Sequence, residues 1–380
     1  MKVLMTTDTV GGVWNYSVQL CSALGEREVS FVLATMGALL SPDQRAQVAA
    51  LTNVELHESA FTLEWMDDPW SDVERAGDWL LGLERATDPD IVHLNGYVHG
   101  TLPWTAPVLM VGHSCVLSWW RAVRGVDAPP VWDRYREAVR AGLRAAQLVA
   151  APTHAMLRAL STEYGPLPHG TVIPNGCEVV PALAGASPAD EYGIDLAEIV
   201  RPVVLAAGRT WDESKNMDAL AAAAKHIRGE VCVAGSDVHP VRGRIRLEGV
   251  RALGHISPDM LRQWYRRASV FVHPSVYEPF GLAPVEAALE GCALVLGDIP
   301  SLREVWGDAA VYVPPRDPAA IAAAVNALLD DPERLARAAQ KAQQRARTFT
   351  ASRMAEAYHR AYGTLTSRAL TLKGAMTCVS

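Results

Sequence analysis

The sequence predicts two α/β domains, each built on a parallel sheet with helices on both faces. The chain has 380 residues, a length that favours two domains with a core each. In both halves short apolar runs alternate with helical patterns, which is typical of doubly wound parallel sheets. Between the halves, residues 181–194 are rich in Ala, Gly, Ser and Pro, and this composition predicts a linker.

The first domain is predicted over residues 1–180. Its strand-like runs are short and apolar, and its helical stretches show amphipathic spacing. Strands are expected at 3–5, 29–34, 91–94, 108–111, 148–150 and 172–173, and helices at 13–24, 70–85 and 133–146.

The second domain is predicted over residues 195–350, where the alternation starts again. Strands are expected at 203–207, 231–234, 270–273 and 293–296, and helices at 217–227, 258–268, 284–290 and within 318–347. Two such domains place a cleft between them, and in open α/β sheets ligands bind at the carboxyl ends of the strands. The candidate residues described next follow strands at that end.

Charge and cysteine usage narrow the class of protein. The net charge of −7 argues against general nucleic-acid binding, which needs a basic surface. The six cysteines are scattered without a C-x-x-C pair, so we expect reduced thiols and no zinc or redox centre. The chain runs directly into a strand, and no run reaches the length of a membrane span. We therefore expect a cytoplasmic protein, or at most one peripheral to the inner face of a membrane.

The most informative motif is Glu278-Pro-Phe-Gly-Leu-Ala-Pro-Val-Glu286. Pro279, Gly281 and Pro284 predict a loop that leads into a helix, with Glu278 in the loop and Glu286 on the first helical turn. The backbone amides of Phe280, Gly281 and Leu282 would form a positive pocket suited to phosphate. Two carboxylates around a phosphate pocket suggest a ligand with hydroxyls at both ends, such as a nucleotide-sugar.

Two cations follow the first strand of the second domain. Arg209 comes directly after that strand, and Lys215 precedes the next helix. Charge-assisted contacts from both could offset a diphosphate without a metal, at roughly 1.5–3 kcal/mol each. The alternative is surface ion pairing with Asp212 and Glu213.

The first domain offers two candidates. Gly12 lies in the loop between the first strand and a helix, where backbone amides could meet a phosphate, although an ordinary tight turn is the alternative. His113 follows the predicted strand 108–111 and would project toward the cleft, although a lone histidine is more often structural. Asp88-Pro-Asp90 has the D-x-D pattern of a metal site but precedes a strand, so we interpret it as a turn or helix stop.

Aromatic and basic residues are concentrated in the first domain. Eight of the eleven tryptophans lie within the first 150 residues, and flat aromatic faces suit sugar rings or lipid tails. We therefore expect the acceptor in this domain, although most of these side chains would pack in the core. Arg136, Arg140 and Arg144 repeat at helical spacing. A solvated helix face explains them, and a membrane surface or an anionic acceptor is the alternative.

Taken together, these motifs resemble the retaining glycosyltransferases of family four, which have the GT-B fold. The resemblance covers nearly the whole chain and depends most on the Glu-x7-Glu element with the upstream Arg and Lys. It also includes Gly11-Gly12, Asp90-Ile-Val-His93, His113, Ile173-Pro-Asn175-Gly176, Leu253-Gly-His255-Ile256, Ser301-Leu-Arg-Glu304 and Val313-Pro-Pro-Arg-Asp317-Pro. It implies a helix at 351–363 that crosses back onto the first domain, and it leaves a tail at 364–380 unmatched.

The resemblance also implies roles for the candidates. Arg209 and Lys215 would bind the diphosphate and stabilise it as it leaves, and Gly12 would approach the phosphate from the other domain. Glu286 would bind the ribose, while Glu278 and the amides of Phe280, Gly281 and Leu282 would hold the donor sugar. The backbone around His255 and Ile256 would frame the base, and His113 would lie beside the sugar near the reacting carbon.

The expected function is transfer of a sugar from a nucleotide diphosphate sugar to an acceptor hydroxyl, with retention at the anomeric carbon and without a metal or other cofactor. The acceptor could be a carbohydrate, a lipid-linked molecule or a small molecule. A nucleotide-sugar epimerase and a non-catalytic nucleotide-sugar-binding protein are the alternatives. A phosphorylase is disfavoured by the size of the chain, and a nicotinamide oxidoreductase by the missing G-x-G-x-x-G fingerprint.

Overall fold

The computed structural model describes residues 1–178, 201–239, 243–244 and 246–377, without the side chains of 238–239, 243–244 and 370–377. The predicted linker at 181–194 lies outside the described residues. The chain forms two compact units. The first unit contains Met1–Arg121, Val126–Glu178 and the residues from Thr350 onward. The second unit contains Ala122–Gly125 and the described residues between 201 and 349.

The first unit is built on a seven-stranded sheet in which every neighbouring pair is parallel. The strand order β3-β2-β1-β4-β5-β6-β7 confirms the predicted doubly wound α/β architecture. The strands are β1 Lys2–Asp8, β2 Ser30–Met36, β3 Val54–Glu58, β4 Ile91–Leu94, β5 Val108–Val111, β6 Leu148–Ala151 and β7 Gly170–Val172. The prediction missed β3, because this edge strand has no fully buried residue and reads Val-Glu-Leu-His-Glu.

Helices cover both faces of this sheet, and the sheet separates two apolar cores. They are Gly12–Gly25, Pro42–Ala49, Trp70–Thr87, Val116–Arg124, Asp133–Ala145, His154–Tyr164 and Ala351–Thr377. Two of the helices that the prediction missed carry clear starting signals. Ser41 and Gln44 form a capping box, and Thr153 caps the helix that begins at His154, in both cases by accepting from a free backbone amide.

The last helix, Ala351–Thr377, belongs to the first unit and packs against the helix Gly12–Gly25. Tyr358, Tyr362 and Leu365 are buried in the same core as the central strands. The predicted end of this helix at 363 is wrong, since the helix continues to Thr377. Gly363 costs a helix only about 1 kcal/mol, and burial of Leu365 on the following turn favours continuation.

The second unit is built on a six-stranded parallel sheet of order β12-β9-β8-β13-β14-β15. Its strands are β8 Val203–Ala207, β9 Glu230–Ala234, β12 Arg251–Gly254, β13 Ala268–His273, β14 Ala293–Gly297 and β15 Val311–Val313, beside a two-stranded antiparallel pair of β10 Val238–His239 and β11 Gly243–Arg244. Its helices are Met217–Ala224, Pro258–Arg267, Leu282–Leu289, Pro300–Trp306, Pro318–Leu329 and Pro332–Ala346.

One correction concerns the helix that carries Glu286. It begins at Leu282, two residues before the predicted start, so Glu286 lies on its second turn and not on its first. Pro284 is the third helical residue. Proline is tolerated there because the first-turn amides have no acceptor within the helix.

In both sheets the spatial order of the strands reverses at one point relative to their order along the chain. In the first sheet the order reverses between β1 and β4, and in the second between β8 and β13. Loops diverge at such a point and leave a crevice at the carboxyl ends of the strands, where ligands bind in open α/β sheets. Among the described residues, no helix is both long enough and apolar enough to span a bilayer.

Candidate functional site

In the second unit, the loop after β8 is organised by Asp212. Its Oδ1 accepts hydrogen bonds from the backbone N–H and the hydroxyl of Ser214, and its Oδ2 accepts from Arg209 at 2.8 Å. Burial raises the pKa of the Asp212 carboxyl, but the positive charges of Arg209 and Lys215 outweigh burial and hold it below its usual value. Arg209 therefore forms an ion pair with Asp212, which the sequence analysis gave as the alternative to diphosphate binding.

The side chain of Lys215 pairs with Glu278, and not with Asp212 or Glu213 as in the alternative from the sequence analysis. Its Nζ donates to Glu278 Oε2 at 2.6 Å, and the two side chains are only 18% and 12% exposed. The structure thus brings together a cation from the loop after β8 and a carboxylate from the loop after β13, the two strands that flank the reversal of strand order.

A buried histidine holds the other side of Glu278. His273 Nε2 lies 2.9 Å from Glu278 Oε2, and because a carboxylate only accepts, this nitrogen donates. Burial lowers the pKa of His273, although Glu278 opposes the shift. Burial also raises the pKa of the Glu278 carboxyl, but Lys215 and His273 outweigh it and the pKa falls far below its usual range. Glu278 is therefore ionised near pH 7 in this arrangement.

Asn216 locks the three loops of this edge together. It adopts a left-handed conformation with φ 55° at the start of the helix Met217–Ala224. Its side-chain amide donates to the carbonyl of Pro274 at 3.0 Å and to that of Pro315 at 2.5 Å. The position of Lys215 is thus set by contacts that reach the loops after β13 and β15.

In the segment Phe280–Leu282 the backbone amides, and not the side chains, are the groups that could bind an anion. Phe280 is 2% exposed and packs edge to face on Phe349. Gly281 precedes the helix with φ +89°, a conformation that favours glycine. The helix begins at Leu282, so the amides of its first turn have no acceptor inside the helix. This agrees with an anion-binding backbone and leaves the phosphate itself a prediction.

Glu286 is half-buried on the same helix, and Tyr265 donates its hydroxyl to Oε2 at 3.2 Å. Burial raises the pKa of this carboxyl to about 7, against the opposing effects of Tyr265 and Arg262. The candidates His255 and Ile256 follow β12; His255 is exposed and Ile256 is buried. Their predicted contact with a base would therefore have to use backbone atoms or the exposed imidazole.

In the first unit, Gly12 is the first residue of the helix Gly12–Gly25. The preceding loop is held by Asp8, which accepts from the amides of Val10 at 3.2 Å and Gly11 at 3.0 Å. Two amides of the predicted phosphate loop are therefore already bonded to a carboxylate. A Cβ on Gly12 would meet nothing within 4 Å, so space beside this residue is open.

His113 lies beside a set of buried polar groups. Its Nε2 is 2.8 Å from Asn95 Oδ1, and its ring packs edge to face on Tyr16 at 4.5 Å. Tyr16 also packs on Tyr358 of the last helix, and Tyr362 of that helix lies 2.6 Å from Nδ1 of His93. Burial lowers the pKa of both histidines to about 3, so both are neutral near pH 7.

Besides Asp8, a second carboxylate lies at the carboxyl ends of the strands of the first sheet. Glu64 accepts from the amides of Tyr97 and Val98 at 3.0–3.1 Å. Burial raises its pKa to about 7, although these amides oppose the shift. The sequence analysis missed Glu64, because it lies in an irregular segment without a motif. Asn95 could have been found, since it directly follows β4 as His113 follows β5.

The D-x-D pattern is a helix stop, as predicted. Asp88 ends the helix Trp70–Thr87 in a left-handed conformation, and Asp90 accepts from the amide of Lys2. No group of three His, Cys, Asp or Glu side chains arranged to hold a metal is found in the part of the chain that the structure describes. Metal independence stays a prediction.

The fold places the chain among the GT-B proteins, with two doubly wound parallel sheets. A sucrose-phosphate synthase from Thermosynechococcus elongatus is similar, with a TM-score of 0.82 over 97% of this chain and 100% of that one at 20% identity. The Anabaena protein HepE, solved with UDP-glucose, has a TM-score of 0.74 over 96% of this chain and 100% of that one at 18% identity.

Family models extend the likeness from fold to family. "Glycosyltransferase Family 4" matches residues 10–179, and "Glycosyl transferases group 1" matches residues 201–331. A D-inositol 3-phosphate glycosyltransferase of Xylanimonas cellulosilytica is 30% identical over 309 residues, 73% of each chain. Two relatives of higher identity, 44% and 40%, align over only 24% and 22% of their own lengths. The chain belongs to the family-four glycosyltransferases, as the sequence motifs indicated.

Proposed function

We propose that the protein transfers a glycosyl unit from a nucleotide diphosphate sugar to an acceptor hydroxyl, with retention of configuration and without a metal. The observation that carries the proposal is the cluster of Arg209, Lys215 and Glu278 at the reversal point of the second sheet. Two cations there can offset the charge of a leaving diphosphate, while the ionised carboxylate of Glu278 accepts hydrogen bonds from sugar hydroxyls.

In this mechanism the leaving phosphate assists the incoming hydroxyl, because the candidate residues include no evident protein nucleophile. Lys215 would exchange part of its contact with Glu278 for the diphosphate when the donor binds. Arg209 would do the same with Asp212. Glu286 would hold the ribose through its carboxylate, and His113 of the first unit would contact the sugar.

Donor and acceptor classes are part of the proposal. HepE was solved with UDP-glucose, so UDP-glucose is the first donor to test, followed by GDP- and ADP-sugars. The inositol phosphate named for one relative makes D-inositol 3-phosphate the first acceptor to test, followed by carbohydrate and lipid-linked acceptors. Peripheral membrane contact stays a proposal without a structural argument.

The test incubates the protein with each donor and measures thermal stabilisation and product. A bound donor raises the unfolding temperature by mass action, and slow hydrolysis or transfer with retained configuration supports the proposal. Arg209→Ala should lower kcat by roughly 10²–10³ fold, the range for removing a group that stabilises developing charge. Arg228→Ala is the matched control, since Arg228 forms an exposed ion pair with Asp330 in the same unit.

Three results would contradict the proposal. An epimerised sugar nucleotide would show an epimerase, and donor binding without turnover would show a sensor. Normal turnover in Arg209→Ala would show that Arg209 does not stabilise the leaving diphosphate.

A further inference from the structure

Asn95 lies between a backbone carbonyl and the imidazole of His113. It lies directly after β4, and its backbone N–H donates to the hydroxyl of Thr6 at 2.9 Å. Its side-chain nitrogen lies 2.7 Å from the backbone carbonyl of Thr6, and its side-chain oxygen lies 2.8 Å from His113 Nε2.

The carbonyl of Thr6 fixes the orientation of the Asn95 amide. A carbonyl oxygen only accepts hydrogen bonds, so the amide group that faces it must be the NH₂. The reversed orientation would set two oxygens against each other at this distance. The oxygen of Asn95 therefore faces His113, and this oxygen also only accepts.

The tautomer of His113 follows from this orientation. Nε2 must carry the hydrogen that Asn95 accepts, and in a neutral imidazole the other nitrogen then carries a lone pair. Burial keeps the ring neutral near pH 7, since it lowers the pKa of His113 to about 3. The structure shows no hydrogen-bond partner for Nδ1 among the described residues.

We propose that Asn95 is a positioning residue that holds His113 as its Nε2–H tautomer, so that Nδ1 accepts a hydrogen bond from a substrate hydroxyl. The role of His113 as a substrate contact rests on the proposed function, while the tautomer rests on the geometry around Asn95 alone. A lone pair at Nδ1 suits a hydroxyl and repels an ionised phosphate or carboxylate. His113 is thereby assigned to recognition of a sugar or acceptor hydroxyl, and not to binding of the diphosphate.

The first experiment needs no substrate. The full chain is labelled with ¹⁵N-histidine, and two-bond ¹H–¹⁵N correlation spectra are recorded from pH 6 to pH 8, where they separate the two tautomers and the imidazolium. His113→Gln identifies the signals. A single Nε2–H pattern is expected, whereas an Nδ1–H pattern, a mixture of tautomers or an imidazolium at pH 7 would overturn the proposal.

Variants of Asn95 then separate positioning from general damage. Asn95→Leu removes the acceptor, so the spectrum should show mixed tautomers and kcat should fall about two- to tenfold, the worth of one neutral hydrogen bond. Asn53→Leu is the matched control, because the Asn53 amide also bonds backbone carbonyls, those of Cys21 and Val29. It should leave the His113 signals unchanged.

Asn95→Asp keeps the proposal testable if Asn95→Leu does not fold. A carboxylate still accepts from Nε2 but adds a negative charge, which raises the pKa of His113. Neutral His113 should keep the Nε2–H pattern in this variant, because a carboxylate beside Nε2 only accepts. An Nδ1–H pattern in Asn95→Asp would overturn the proposal. A failure of glycosyl transfer with every donor would refute the proposed function alone, since the spectra still report the tautomer.

Discussion

The ion pair between Lys215 and Glu278 should contribute measurably to the stability of the second unit. The pair is short at 2.6 Å, and its side chains are 18% and 12% exposed. Removing one partner of a buried pair costs about 3–5 kcal/mol, because the other charge stays buried without compensation. His273 continues to donate to Glu278 in Lys215→Met, so we expect the lower end, about 3 kcal/mol.

Differential scanning calorimetry gives the measurement. A loss of about 3 kcal/mol corresponds to a lowering of the unfolding midpoint of this unit by about 6–12 °C, at roughly 2–4 °C per kcal/mol for a domain of this size. Lys215→Met/Glu278→Gln removes both charges and should recover most of the loss. Arg337→Met is the control, because Arg337 pairs with Glu333 on an exposed helix face, where such pairs contribute little.

The pH dependence provides an independent check. The pKa of Glu278 is lowered in the folded protein, so its stabilising contribution is present above the unfolded pKa of about 4.3 and is lost as the pH falls further. The difference between the wild-type protein and Lys215→Met should therefore shrink below about pH 4. Equal midpoints at pH 7, or a difference that does not change with acidification, would refute the reasoning.

Two further predictions concern a carboxyl group and a pair of glycines. Burial raises the pKa of Glu286 to about 7, so its contribution to stability is present below the unfolded pKa and is lost as the pH rises through 7. Glu286→Gln mimics the neutral form and should unfold at a higher temperature than the wild-type protein at pH 8 but at a similar temperature at pH 5; equal midpoints at pH 8 would contradict this. Gly142→Ala should destabilise the first unit despite its better helix propensity, since the new Cβ would lie 1.9 Å from the carbonyl oxygen of Tyr97. Gly363→Ala meets nothing within 4 Å and should stabilise the last helix by up to about 1 kcal/mol, so urea unfolding should move the two variants in opposite directions.

The long regular elements could be predicted because their signals are local. Buried strands such as β5 and β8 are continuous apolar runs, and the helix at Trp70–Thr87 shows its spacing in the sequence. The edge strand β3 has polar side chains at three of its five positions, so it is not a continuous apolar run. The start of the helix at Leu282 was misplaced because Pro284 was interpreted as a loop residue, although proline fits the first turn.

The common edge of Arg209, Lys215 and Glu278 could be predicted from the sequence, but their contacts could not. The order of strands in a parallel sheet places Arg209, Lys215 and Glu278 at one edge. That Lys215 pairs with Glu278, while Arg209 pairs with Asp212, depends on the fold of the loop around Asn216. The importance of Asn95 depends on a backbone carbonyl of a neighbouring strand, 89 residues away along the chain, which no local pattern reports.

The position of the last helix in the first unit has a consequence for the nascent chain. Met354, Ala355, Tyr358, Tyr362 and Leu365 complete an apolar core whose other buried members lie before residue 174. Nearly all of the second unit is synthesised between the two parts of this core. One face of the first sheet therefore leaves the ribosome covered only in part, by the helices Gly12–Gly25 and Pro42–Ala49, until the helix Ala351–Thr377 emerges. Exposed apolar surface of this kind favours aggregation and calls for chaperones. The unit that begins synthesis first is thus the last to finish folding.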